Sequence, residues 1–357
     1  MAKRRLVIAV AIASAAALLI SGCSGSDDAS AKRACMILPD SESSARWENG
    51  DRPALKEALE AAGFTTDIQN AEGDTAKMLT IGDQMLASGC NVMIITDYQG
   101  AGAQVAAKSK AQGVPTIAYD RPIEGVDYYV SFDNVTVGTL QGEGILKCLA
   151  DAGKDPKTAE LIFLDGDPTD GNAAMFAEGY DTALKAAGVE VDKAKLGAKR
   201  PDGTWDGAKA GTNFEQALTA NGGKVDAVVS ANDTNAASAI AILDKNKLTV
   251  PVSGQDASKE GMNNVLSGKQ CMTVFKDYLV EASTAAELAI AILKGETPTT
   301  NKQLADGTPF QAADPQALYA DAASLDGFKQ ALDRSGLTAA DVCTGDAAAK
   351  CTEIGLS

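Results

Sequence analysis

Short apolar runs alternate with amphipathic stretches along most of the chain. Residues 35–38, 64–68, 92–96 and 114–119 are rich in apolar and β-branched types and read as buried strands. Between them, 54–62, 75–87 and 101–112 have helical spacing. This alternation predicts an α/β fold with a parallel sheet covered on both faces. After Asn134 it restarts, with helices predicted over 135–149, 173–187, 206–220 and 234–246. Strands are predicted over 160–164, 225–230 and 249–254, with a weaker one over 189–193. A further strand, 271–275, leads into an Ala- and Leu-rich helix, 279–293. Residues 295–314 read as a polar connection, and the tail from Leu318 carries one helical piece, 326–334.

The two halves repeat. Val114-Pro115 precedes Asp120 as Val250-Pro251 precedes Asp256, and Asp97 stands before Asp120 as Asp233 stands before Asp256. All four correspondences share one offset without a gap, which predicts two similar lobes. The segment after Asp256 is too small for a third and is expected to complete the first sheet. The expected division is residues 35–122 with 258–310 as an N-terminal lobe, and 123–257 with 311–357 as a C-terminal lobe and tail. Three crossings then bring strand tips together across a cleft, and hinge closure is the expected motion.

The first residues change the picture of where the chain works. Lys3-Arg4-Arg5 precedes an apolar run, 6–20, that is too short to span a bilayer and ends at Ser21-Gly22-Cys23, the pattern of a secretory signal peptide. Residues 24–33 are small and polar, which suits a tether, and 23–34 is taken as one. Six further cysteines, an even number in an exported chain, predict disulfides. Cys35 and Cys90 each open a predicted strand and are the preferred pair; the other four are left unassigned. The net charge of −16 offers no basic patch for nucleic acid. The complete absence of histidine excludes His-based triads and His metal sites. No metal site, cofactor motif or Walker A sequence is present.

Candidate chemistry gathers at predicted strand tips, where open α/β sheets bind ligands. Arg46 and Trp47 follow the first strand, and Asp120-Arg121 follow the fourth. Asn172, Trp205, Asn232, Asp256 and Lys276 lie in later loops. Amides, carboxylates and cations suit the hydroxyls of a neutral sugar, and the two tryptophans, both in polar loops, suit stacking on its ring. Asp233 reads as the cap of the helix that follows it. Asp120 and Asp256 could instead be the carboxylate pair of a glycosidase, but neighbouring cations would keep both ionised.

Several stretches together resemble bacterial periplasmic sugar-binding proteins of ABC transporters, of the D-xylose-binding and multiple-sugar-binding kind. They are Ala45-Arg46-Trp47, AYDRPI at 118–123, DYYVSFDN at 127–134, Asp170-Gly171-Asn172-Ala173, LTANGGKVDAVVSANDTNA at 218–236, SGQDA at 253–257 and MTVFKD at 272–277. The resemblance implies the type I periplasmic binding protein fold, two Rossmann-like lobes joined by a three-segment hinge. It implies sugar contacts from Arg46, Asp120, Arg121, Asn172, Asn232, Asp256 and Lys276, with Trp47 and Trp205 stacking on the ring. The stretch 20–23 resembles a lipobox, which implies cleavage before Cys23 and a lipid on its sulfur. The implied partners are a monosaccharide, a membrane permease and its separate ATPase. The chain is expected to act as a monomer without a cofactor, anchored outside the membrane, in transport or in sensing.

Overall fold

A computed structural model describes residues 32–41, 43–44 and 46–356. The leader 1–22, Cys23, most of the tether 23–34 and Ala45 lie outside the described residues. Eleven strands are seen among those described: β1 (Arg33–Leu38), β2 (Thr65–Asn70), β3 (Val92–Ile95), β4 (Thr116–Tyr119), β5 (Tyr128–Phe132), β6 (Leu161–Leu164), β7 (Ala227–Ser230), β8 (Met272–Phe275), β9 (Lys302–Gln303), β10 (Pro309–Ala313) and β11 (Gln316–Tyr319). β1 thus begins two residues earlier than expected, inside the tether range.

The first sheet runs β2-β1-β3-β4-β5-β10-β9 and is parallel except for the β9–β10 hairpin. β3 and β4 are buried throughout, as strands sandwiched between helices must be. One face packs on helices Arg52–Ala61 and Tyr278–Lys294 through Leu55, Leu59, Ala285 and Ala289. The other packs on helices Thr75–Ala87 and Ala101–Ala111 through Met78, Met85 and Val105.

The second sheet is knitted from β6–β7, a bridge from Val228 to Val252, a bridge from Gln255 to Val274, and the antiparallel pair β8–β11. Helices Asn134–Asp151 and Gly171–Ala186 cover one face and cross at near backbone contact. A Cβ on Gly138 would lie 2.0 Å from the Phe176 carbonyl oxygen, and one on Gly179 lies 2.1 Å from that of Val135. Only glycine permits this approach, which sets the helix that carries Asn172 and Phe176.

Several expectations are corrected. β5 pairs with β4 and β10, so the chain first crosses after Phe132 and not after residue 122. Residues 258–275 join the second sheet, because β10 already fills the place beside β5. Helix Lys259–Leu266 buries Met262, Val265 and Leu266 against Phe328, Val342 and Ile354 of the tail. The second crossing is therefore at Lys276-Asp277, and the third lies between Ala313 and Gln316. Residues 189–192 form no strand; the Val191 carbonyl accepts an N–H of Arg200 instead (2.8 Å). The polar connection 295–314 contains β9 and β10. The disulfides are Cys35–Cys90, the expected pair, together with Cys148–Cys271 and Cys343–Cys351.

Candidate ligand-binding site

The crossings and strand tips surround a cavity. All nine candidate residues line it: Arg46, Trp47, Asp120, Arg121, Asn172, Trp205, Asn232, Asp256 and Lys276. The first-sheet side is built on the turn after β1. Asp40 accepts the Ser43 hydroxyl (2.8 Å), and Ser43 Oγ accepts the Trp47 indole N–H (3.1 Å). The Arg46 guanidinium lies over that indole at 4.4 Å, so one face of Trp47 is already covered.

Asp120 leaves the tip of β4 with φ +61°, and three groups fix its carbonyl: Tyr129 Oη (2.9 Å), Ser131 Oγ (2.8 Å) and Asn172 Nδ2 (2.8 Å). Its carboxylate accepts Arg46 Nη2 at 3.0 Å. Burial would raise the Asp120 carboxyl, but Arg46, Lys276 and Arg121 together outweigh it and hold it below the usual range. Arg121 is anchored to the Asp97 carbonyl (2.9 Å) and to Ser43 Oγ (3.3 Å). Its Nε stands 3.3 Å from Asp170 Oδ2, outside hydrogen-bond alignment.

The second-sheet side is less saturated. Asn232 caps helix Asp233–Lys245 by accepting the Asn235 N–H (2.9 Å), and its own Nδ2 has no partner among the described residues. The cap is thus Asn232, where Asp233 was expected. Asp233 lies beneath, accepting Ser258 N–H, Gln270 Nε2 and Thr273 Oγ1, and burial raises it to about 7. Lys276 is buried, makes no hydrogen bond to the described residues, and stands 3.7 Å from Asp256 Oδ1. Asp256 has φ +99°. Trp205 donates to Asp170 Oδ2 (3.1 Å) and meets Phe176 edge-on. Its ring rests where Gly166 has no side chain; a Cβ there would be 2.1 Å from Cη2.

Ser43, Ser44, Asp170, Phe176 and Gln255 also line the cavity and were missed. Phe176 lies one helical turn beyond Asn172, a spacing that could have found it. Asp170 and Gln255 adjoin candidates in sequence. Asn172 lines the cavity as expected and also has a structural job. Its Nδ2 donates to the Asp120 carbonyl, and its Oδ1 accepts from Asn134 and stands 3.1 Å from the Tyr129 hydroxyl, so it ties the two sheets at the crossing.

Residues 35–297 match the family described as "Periplasmic binding protein domain". The chain belongs to this family. The D-xylose-binding periplasmic protein of Escherichia coli (strain K12) is 34% identical over 268 residues, 73% of this chain and 78% of that protein. The multiple sugar-binding periplasmic protein of Azospirillum brasilense is 34% identical over 291 residues, 76% of this chain and 80% of that protein. The crystal structure of an ABC transporter solute binding protein from Clostridium phytofermentans with bound β-D-glucose superposes with a TM-score of 0.74. It is 29% identical, and the match covers 87% of this chain and 100% of that one. The type I periplasmic binding protein fold follows, and the chain is a binding protein rather than an enzyme. Among the described residues no helix is long and apolar enough to cross a membrane.

Proposed function

We propose that this periplasmic-type binding protein captures a monosaccharide, D-xylose first among the candidates, and delivers it to an ABC permease with a separate ATPase. One observation carries the reading. The cavity lining sets three cations, Arg46, Arg121 and Lys276, against three carboxylates, Asp120, Asp170 and Asp256. A balanced, densely polar cavity favours a neutral polyhydroxyl ligand over an ion, because either sign of ligand charge would leave a lining charge uncompensated. Asn232 Nδ2, the Lys276 ammonium and the buried, unpartnered Gln255 Oε1 supply donors and an acceptor for hydroxyls. Trp205, with its N–H already satisfied, offers apolar ring surface to a pyranose. Arg46, Trp47, Asp120, Arg121, Asn172, Asn232 and Asp256 complete the proposed ligand set.

The protein acts as a monomer, tethered outside the membrane by a lipid on Cys23. Calorimetric titration of the mature protein with D-xylose, D-glucose, D-galactose, L-arabinose and D-ribose tests the function. Stoichiometric heat with at least one aldose is expected, and no heat with any of them would discard it. Mass spectrometry of membrane-extracted protein tests the anchor.

A further inference from the structure

Behind the cavity, Arg46 is gripped by three carboxyl groups. Nε donates to Asp51 Oδ2 (3.1 Å), and Nη2 donates both to Asp120 Oδ1 (3.0 Å) and to Glu281 Oε2 (2.7 Å). Every N–H of Nε and Nη2 is therefore used. Nη1 has no partner among the described residues, and Arg46 lines the cavity. Glu281 is fully buried and reaches Arg46 from the first turn of helix Tyr278–Lys294, just past the second crossing. Neither the sequence pattern nor the cavity lining includes it.

We propose that Glu281 is a positioning residue for the ligand: it fixes the Arg46 guanidinium so that Nη1 alone is presented to the sugar. The inference rests on the sugar-capture reading above. A guanidinium held on two of its three nitrogens offers its third in one direction, so less freedom is lost when a hydroxyl binds.

Charge explains why a glutamate can occupy this place. It faces Arg46 and Asp51 from the segment after β1, Tyr119 at the end of β4 and Asp120 just past it, Tyr129 from β5 and Lys276 just past β8. Three carboxyls thus meet two cations in a buried space. Burial first, and then Asp120 and Asp51, push Glu281 up to about 8 against the pull of Arg46 and Lys276. Oε2 accepts from Arg46 and Oε1 has no partner, so Oε1 is the oxygen left for a proton when the group is neutral. Glutamine copies that state, and leucine removes the acceptor.

The test compares wild type, Glu281→Gln and Glu281→Leu by aldose calorimetry at pH 7 and 9, and by NMR of sugar-free, 15N-arginine-labelled protein. At pH 7 the Gln variant should bind within about twofold of wild type, and the Leu variant about 10-fold or more weakly. Wild-type affinity should change between pH 7 and 9, while that of the Gln variant stays flat. Separate, slowly rotating Arg46 Nη signals should persist in wild type and Gln and merge in Leu. A Leu variant with wild-type affinity or unmerged signals overturns the proposal, as does a Gln variant as impaired as Leu. If wild type binds no aldose, the sugar reading falls, and the NMR comparison still decides whether Glu281 holds Arg46.

Discussion

Asp120 follows β4 and Asp256 follows the bridged residues Val252 and Gln255 of the second sheet, and both have positive φ, +61° and +99°. Few residues other than glycine adopt this conformation, which costs about 1–3 kcal/mol unless the surroundings enforce it. The turn swings each carboxylate into the cavity from its own side of the cleft. Their settings differ: Asp120 is buried against Arg46, whereas the Asp256 side chain is 39% exposed. Asp256→Ala should therefore weaken sugar binding about 10- to 100-fold with little change in melting temperature. Asp120→Ala should lower both, by about 3 kcal/mol in stability, because it breaks a buried ion pair. Calorimetry and thermal melts separate the two cases.

Arg121 joins the turn after β1 to the end of β3 and still lines the cavity. Arg121→Ala should reduce aldose affinity at least 100-fold while the far-ultraviolet circular dichroism stays native. Arg121→Lys should recover little, since a point charge cannot serve both anchors and a hydroxyl.

Trp205 can be displaced without touching it. In Gly166→Ala the new methyl meets the indole at 2.1 Å, so the ring must move. The expected outcome is a loss of affinity of about tenfold, matched by Trp205→Ala, with a shifted tryptophan emission in the sugar-free Gly166→Ala protein. An unchanged emission spectrum would mean that the ring does not rest on Gly166.

Stability should fall as the medium becomes alkaline. Burial is the main cause raising Asp51 to about 6, Asp233 to about 7 and Glu281 to about 8. Between pH 4 and 8 the folded chain then holds more protons than the unfolded chain, so raising pH favours unfolding. The melting temperature should be higher at pH 5 than at pH 8.5. Part of that difference should vanish in Glu281→Gln, which cannot ionise.

Much of this was readable because it depends on local pattern. The short apolar runs of β3 and β4 needed only burial on both faces to become parallel strands. The gapless repeat made Asp120 and Asp256 equivalent before any geometry was known. The failures concern partners distant in sequence. Residues 272–275 could pair in either sheet, and the choice was made by β10, some 35 residues later, filling the place beside β5. The cavity place of Asn172 was legible from its type and position, but its further bonds to Asp120 and Asn134 depend on how the crossings meet. Glu281 gave no signal at all, being one acidic residue in an Ala-rich helix whose partner, Arg46, lies 235 positions away.

The pairing of the cysteines has a consequence for how the molecule is made. Counted from Cys35, the first joins the second, the third the fourth and the fifth the sixth. No loop closed by one bridge encloses or interlocks with another. A chain threaded across a membrane from its N-terminus therefore meets each correct partner before the next pair of thiols emerges. With Cys23 blocked by the proposed lipid, simple oxidation in order of arrival should yield the native set without shuffling of mispaired bridges.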